Sequence, residues 1–153
     1  MQARDIMVEA LTVTPDRSVR DLVDLLLREH SDGACVIEDH HLVGVVTTMD
    51  LVFQEKQVHI PSILSFMDFA IPLEPPDRLR EELDKIAGTK VASIMSRHPI
   101  FVAPDKPMSE VASMMVDKHL TIVPVVERGR VLGVVTKQAL LRAAFPTAAT
   151  EPQ

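Results

Sequence analysis

The sequence predicts an α+β fold built from two pseudo-symmetric units, and three observations lead to that prediction. The chain of 153 residues is long enough for one domain or for two small halves that share a core. Apolar residues make up 46% of it and aromatic residues only 3%, so the core must be aliphatic. A shift of 89 positions lays residues 13–51 onto residues 102–140, with 11 of 39 positions identical.

The duplication contains the block Gly-Val-Val-Thr twice, but only the first copy leads to an aspartate. Residues 44–47 are followed by Asp50, whereas residues 133–136 are followed by Ala139. Upstream of the blocks the two copies match at a shift of 88, which aligns Met7 with Met95. We therefore predict four segments: repeat 1 at 1–55, a linking segment at 56–89, repeat 2 at 90–145 and a disordered polar tail at 146–153.

Each repeat has the same predicted order of strand, helix, strand, strand and helix. A short strand leads into a Pro-Asp pair, at 15–16 and again at 104–105. Apolar residues at i, i+3, i+4 and i+7 then predict an amphipathic helix from Val19 and from Met108. Two apolar runs around a polar turn, at 39–41 in the first copy, predict an antiparallel hairpin, and a second helix follows. Each unit should be a small mixed sheet with two helices on one face.

The linking segment is apolar and interrupted by prolines, so we expect a hydrophobic arm that packs on the module or on a dimer partner. A charged helix at 77–88 should follow it. The apolar side chains of the arm are Ile60, Ile63, Leu64, Phe66, Phe69, Ile71 and Leu73.

Composition excludes several classes of function. The net charge of −6 disfavours a nucleic-acid partner, because phosphate backbones need a basic surface. The single cysteine, Cys35, excludes an internal disulfide, fits a reducing compartment and is expected to be a buried core thiol. No apolar signal segment and no run of about 18 apolar residues is visible, so we expect a cytoplasmic protein without membrane contact. No nucleophile–base pair or metal cluster is apparent, so we expect no enzyme and no metal.

Thr47 and Asp50 allow two interpretations, both of which stay open. In the first, they form a capping box at the start of the second helix, and the carboxylate also complements the helix dipole. In the second, the same helix start binds a phosphate, and the Asp50 carboxylate accepts hydrogen bonds from the paired hydroxyls of a ribose.

Each unit resembles a cystathionine-β-synthase (CBS) domain, and the pair resembles a stand-alone tandem CBS, or Bateman, module. The resemblance rests on the Val-x-Pro-Asp start of each unit, the Pro-Val-Val-Glu run at 124–127 and the Gly-Val-Val-Thr block that leads to Asp50. It covers about residues 4–55 and 90–145. It implies a regulatory module that binds AMP, ADP, ATP or S-adenosylmethionine between the repeats, and that signals by a change of shape to an unknown effector protein in trans.

The resemblance also implies which residues form the site. Thr47 would contact a phosphate and Asp50 would hold the ribose. Their expected neighbours are Met49, Gly33 and Ala34 from repeat 1, with Met95, Ile100, Thr121 and Ile122 from repeat 2. A second, pseudo-symmetric cleft would use Met7, Leu11 and Thr136, but Ala139 has no carboxylate for a ribose.

Three further expectations concern partners and alternatives. The second helices, at 48–55 and 137–145, are apolar on too many sides for a monomer, and the resemblance implies a homodimer formed through them. His30 and His119 should interact with helix dipoles or with a ligand, while Arg97 and His98 reach phosphates or are solvated. The alternative function is a structural or oligomerisation module with a vestigial site, which the loss of an aspartate at Ala139 favours.

Overall fold

The computed structural model describes residues 1–53, 85 and 87–145. The first part of the chain forms six elements: α1 (Ala3–Ile6), β1 (Thr12–Val13), α2 (Val19–Arg28), β2 (Gly33–Glu38), β3 (His41–Thr47) and α3 (Thr48–Phe53). The sheet has the order β1-β2-β3; β1 pairs parallel with β2, and β2 pairs antiparallel with β3. It is therefore the small mixed sheet that the sequence predicts.

The second part repeats this arrangement. It begins with a 3₁₀ turn (Val91–Ser93) and continues with α4 (Met108–Asp117), β4 (Ile122–Glu127), β5 (Arg130–Thr136) and α5 (Lys137–Ala144). The predicted first strand is reduced to Val102, which forms an isolated parallel bridge with Val125. The bridge has two hydrogen bonds: Val102 N–H donates to the Pro124 carbonyl at 3.0 Å, and Val126 N–H donates to the Val102 carbonyl at 2.9 Å. The α+β fold with two related units is confirmed.

Both hairpins turn over two residues with left-handed backbone. Asp39 and His40 have φ of 52° and 66°, and Arg128 and Gly129 have φ of 54° and 81°. Two consecutive residues with positive φ form the type I′ turn, whose twist matches that of the flanking strands. The predicted three-residue turn at 39–41 is wrong by one residue, since His41 is the first residue of β3.

The leading segments of the two repeats are exchanged. Ala3 and Ile6 of α1 are buried in the core of the second unit, whereas Val91 and Ile94 are buried in the core of the first. The Arg4 N–H donates to the Pro104 carbonyl, and the Ala92 N–H donates to the Pro15 carbonyl, both at 2.9 Å. The proline of each Pro-Asp pair therefore anchors the segment that arrives from the other repeat.

The glycine of each Gly-Val-Val-Thr block lies under the exchanged chain. Val45 N–H and C=O pair with Ser96 at 3.2 and 2.8 Å, and Val134 pairs with Val8 in the same way at 2.9 and 2.8 Å. A Cβ on Gly44 would lie 2.9 Å from the Ser96 carbonyl oxygen, and one on Gly133 would lie 2.7 Å from the Val8 carbonyl oxygen. Only glycine lets the backbones approach this closely.

The core is aliphatic, as the composition requires. Its largest fully buried side chains include Leu22, Val36, Val111 and Val135. Cys35 is buried and free, and burial raises the pKa of its thiol to about 12. Because the thiol stays protonated at physiological pH, Cys35 acts as a small core residue.

Two predictions lie mostly or wholly outside the described residues. The hydrophobic arm at 60–73 and the tail at 146–153 both fall there. Of the charged helix predicted at 77–88, Lys85 and residues 87–88 are described, and they are helical.

Replacing either buried glycine with alanine should destabilise the protein. We expect Gly44→Ala and Gly133→Ala each to lower the free energy of unfolding by about 1–3 kcal/mol, because the added methyl group meets a fixed backbone carbonyl and a methionine side chain. Urea denaturation followed by circular dichroism measures the change.

Gly88 is the matched control, since a Cβ there would meet no atom within 4 Å. Gly88→Ala should leave stability unchanged or raise it by about 0.5–1 kcal/mol, as expected for glycine to alanine in a helix. Equal effects of all three substitutions would contradict the packing explanation.

Candidate functional site

A cleft of about 280 Å³ lies between the two units, and we call it the first cleft. One wall is the end of β3 and the start of α3, and the opposite wall is the stretch that leads into β4. The exchanged segment forms the third side. The lining residues are Val45, Thr47, Met49, Asp50, Ser96, His98, Pro99, Ile100, His119, Leu120, Thr121 and Ile122.

Six of the nine residues assigned to this site from the sequence line the first cleft together. They come from both repeats and are Thr47, Met49, Asp50, Ile100, Thr121 and Ile122.

Three of the nine lie elsewhere, for identifiable reasons of packing. Ala34 is 1% exposed and belongs to the core of the first unit. Met95 packs over Gly44, whose ideal Cβ would lie 2.6 Å from the Met95 sulfur. Gly33 lines the second cleft instead, because the Ile122 side chain occupies the space beside its Cα. Gly33 and Ile122 occupy equivalent positions in the two repeats, and they face each other between the clefts.

Asp50 combines the two roles that the sequence left open. Its Oδ2 accepts a hydrogen bond from the Thr47 backbone N–H at 2.7 Å and a longer one from the Thr47 hydroxyl at 3.3 Å. The carboxylate therefore reaches back to the residue before α3, as in a capping box. Its other oxygen, Oδ1, makes no hydrogen bond to the part of the chain that the structure describes, and it remains an acceptor in a half-buried position.

The second cleft, also of about 280 Å³, is the pseudo-symmetric counterpart. Two of the three residues predicted for it, Leu11 and Thr136, line it. Met7 instead packs over Gly133, as Met95 does over Gly44. Ala139 is 4% exposed, and its N–H donates to the Thr136 hydroxyl oxygen at 3.0 Å. Here the threonine caps the helix, and no carboxylate stands at its first turn.

Charged side chains distinguish the second cleft from the first. It is lined by three acidic residues, Glu9, Glu29 and Asp32, and by two permanently charged basic ones, Lys137 and Arg142. Ligands bound in the two clefts would therefore meet different charges.

A third, more open and mostly apolar depression of about 700 Å³ lies between α4 and α5, and we call it the helix groove. Val116 and Leu141 at its surface are 73% and 59% exposed. His119, Leu120 and Thr121 line both the helix groove and the first cleft.

Sequence reasoning missed part of the first cleft. Val45 and Ser96 line it because they pair across the exchanged segment, a contact that no local pattern predicts. His119 and Leu120 had a signal, since they directly precede Thr121 in the same loop.

The model of the CBS domain family matches residues 3–55 and 91–145. The chain belongs to the CBS domain family. The two matches confirm a tandem CBS pair, and each match begins with an exchanged segment, at residues 3 and 91.

Two relatives show how this pair compares with known CBS proteins. The uncharacterized protein MJ1426 of Methanocaldococcus jannaschii is 29% identical over 94% of this chain and 90% of its own length. The chloroplastic CBS domain-containing protein CBSX2 of Arabidopsis thaliana is 27% identical over 87% of this chain, which spans 58% of that protein.

Two solved structures share the fold. CBSX2 in complex with AMP matches with a TM-score of 0.71 and 24% identity, over 96% of this chain and 98% of that one. The CBS pair of protein MJ0100, in complex with methylthioadenosine and S-adenosylmethionine, matches with a TM-score of 0.68 and 19% identity, over 96% and 98%.

The described residues contain no group of three or more His, Cys, Asp or Glu side chains arranged to hold a metal ion. Within the same part of the chain, no helix has the length and apolar character needed to span a bilayer.

Proposed function

We propose that this CBS pair is a regulatory module that binds an adenine nucleotide or another adenosyl ligand in the first cleft. AMP, ADP, ATP and S-adenosylmethionine are the candidates. The observation that carries the proposal is Asp50, which is anchored through Oδ2 to the Thr47 N–H and keeps Oδ1 as an acceptor at the cleft. The complexes of CBSX2 with AMP and of MJ0100 with adenosyl compounds support the same ligand class.

The anchored carboxylate suits a ribose. A carboxylate only accepts hydrogen bonds, and the two hydroxyls of a ribose are donors at a fixed spacing. Because Oδ2 is held at 2.7 Å by a backbone group, the carboxylate loses little freedom when a ligand binds. Apolar side chains on the opposite wall, Ile100, Leu120 and Ile122, offer a surface for the adenine.

Binding rather than catalysis is the function that this site favours. Its polar side chains suit hydrogen bonding to hydroxyl groups. The single cysteine of the chain, Cys35, is a buried core residue whose thiol stays protonated. The module would act on an effector protein in trans, in the cytoplasm, where a free thiol is stable.

An alternative is a structural module whose nucleotide site is vestigial. The helix groove favours it, since this apolar surface is larger than either cleft. The two functions predict different effects of replacing Asp50: a binding module loses affinity for its ligand, whereas a structural module loses only stability.

We expect Asp50→Ala to weaken binding of an adenosyl ligand by about ten- to a hundredfold. Charge-assisted hydrogen bonds contribute roughly 1.5–3 kcal/mol each before desolvation, and 1.4 kcal/mol corresponds to tenfold. The apo protein should lose only about 1 kcal/mol, the usual effect of removing a helix-start interaction. Isothermal titration calorimetry and urea denaturation measure the two effects separately.

Ser18→Ala is the matched control, because the Ser18 hydroxyl oxygen accepts a backbone hydrogen bond from the Asp21 N–H at the start of α2, and Ser18 does not line the first cleft. It should lower stability similarly and leave affinity unchanged. Ligands without a 2′ or 3′ hydroxyl should bind the native protein more weakly and the Asp50→Ala variant no more weakly than the parent ligand. An Asp50→Ala variant that loses stability but no affinity would favour the structural module.

We further propose that the module is a homodimer that covers the helix groove. Leu27 is 69% exposed on α2, at the position equivalent to Val116 on α4. Both units thus present an apolar residue at the same place on their first long helix. A second copy, turned to face both helices, would bury the two surfaces at once.

Charged substitutions in the helix groove should therefore dissociate the dimer. Val116→Glu and Leu141→Glu should each shift the mass measured by light scattering toward that of the monomer, because a buried unpaired carboxylate is costly. Leu132→Glu is the control: Leu132 is 46% exposed on β5 and does not line the helix groove. A native protein that is monomeric at micromolar concentration would contradict the proposal.

A further inference from the structure

The first cleft has an unusual set of basic groups for a nucleotide site. Among the described residues that line it, only His98 and His119 have side chains that can carry positive charge, and Asp50 carries a negative one. Lysine and arginine are the usual partners of a polyphosphate, because they stay charged at any physiological pH.

Arg97 adds no positive charge to the lining of the first cleft, although it lies next to His98 in sequence. Ser96 pairs antiparallel with Val45, and the backbone then bends at Arg97 and His98. Ser96 and His98 line the first cleft, and Arg97 does not.

The start of α3 does not replace the missing cations. The Thr47 N–H and the Thr47 hydroxyl already donate to the Asp50 carboxylate, at 2.7 and 3.3 Å. A phosphate only accepts hydrogen bonds, so it would have to compete with Asp50 for these donors. The Asp50 carboxylate also offsets the positive end of the helix dipole at this point.

The second cleft differs in its cations. Lys137 and Arg142 line it, where the equivalent positions of the first repeat are Thr48 and Phe53. Permanent positive charge therefore lines the second cleft, together with His30 and three carboxylates, whereas the described lining of the first cleft has two histidines and Asp50.

We infer that the first cleft selects adenosyl ligands with one phosphate or none over ADP and ATP, and that His98 and His119 hold the single phosphate. The inference rests on the proposed function and narrows it. Asp50 binds the ribose in the middle of the ligand, and the two imidazoles face its 5′ substituent. Additional phosphates bring negative charge without gaining a permanently cationic partner among the described residues that line the cleft.

Calorimetric titration of the full-length chain with adenosine, methylthioadenosine, AMP, ADP and ATP tests the inference. Magnesium is left out, so that the phosphates keep their full charge. AMP should bind more tightly than ADP and ATP, and equal affinities would contradict the selection. His98→Asn and His119→Asn should weaken AMP binding by about three- to tenfold and change adenosine binding by less than about twofold. Asparagine suits position 119, where φ is 53°.

Two further variants provide the controls. Arg97→Gln removes a neighbouring positive charge that does not line the first cleft, and it should leave all five affinities unchanged. His98→Lys adds a permanent charge, and it should raise the affinity for ATP more than that for AMP while leaving adenosine unaffected.

The outcomes separate this inference from the proposed function. ATP that binds the native protein tenfold more tightly than AMP, with both dependent on Asp50, would overturn the inference and leave the proposed function intact. Weaker AMP binding in Arg97→Gln but not in the histidine variants would also overturn it. If none of the five compounds binds, the proposed function fails and the inference fails with it.

Discussion

The structure depends on the exchange of leading segments between the two repeats. Each core is completed by a segment from the other repeat: α1 contributes Ala3 and Ile6 to the second, and the 3₁₀ turn region contributes Val91 and Ile94 to the first. Neither repeat encloses its core without the other. The repeats therefore form one folding unit, although the chain reads as two copies.

The exchange explains the features that the two copies share. Each Pro-Asp pair supplies the carbonyl that receives the arriving segment, and each Gly-Val-Val-Thr glycine leaves space for its backbone. The valine after that glycine pairs with the arriving segment, to Ser96 in one case and to Val8 in the other. Those two paired residues in turn line the two clefts, so the contact that joins the repeats also builds the sites.

Much of the fold followed from the sequence because its signals are local. The amphipathic helices and the hairpins are patterns of neighbouring residues, and with the duplication they predicted the α+β fold. The site residues were all assigned by position from the resemblance to the CBS family, and six of them line the first cleft. Gly33, Ala34, Met95 and Met7 do not line the cleft assigned to them. Their locations depend instead on how side chains pack across the exchanged segments, as with Met95 over Gly44. Such contacts join residues far apart in the sequence, as Met7 and Gly133 are, and they leave no periodic signal.

The two copies resemble each other more closely in their backbone than in their side chains. Both helix starts are capped from within the block, but with the roles reversed: Asp50 accepts from Thr47 in the first copy, and Thr136 accepts from Ala139 N–H in the second. Because the Thr136 hydroxyl oxygen alone accepts a hydrogen bond from the start of α5, the second copy folds without an aspartate at position 139. Retaining Asp50 therefore needs an explanation beyond the cap.

The location of the first cleft bears on how binding there reaches the rest of the molecule. His119, Leu120 and Thr121 form one short loop between α4 and β4, and they line the first cleft on one side and the helix groove on the other. A displacement of this loop changes both surfaces. A ligand and a partner molecule that contact the same loop must influence each other's affinity equally, since a coupling free energy is reciprocal. Among the described residues, the second cleft shares only Lys137 with the helix groove. The first cleft, which contains Asp50, therefore shares a three-residue loop with the exposed apolar surface, whereas its pseudo-symmetric counterpart shares one side chain.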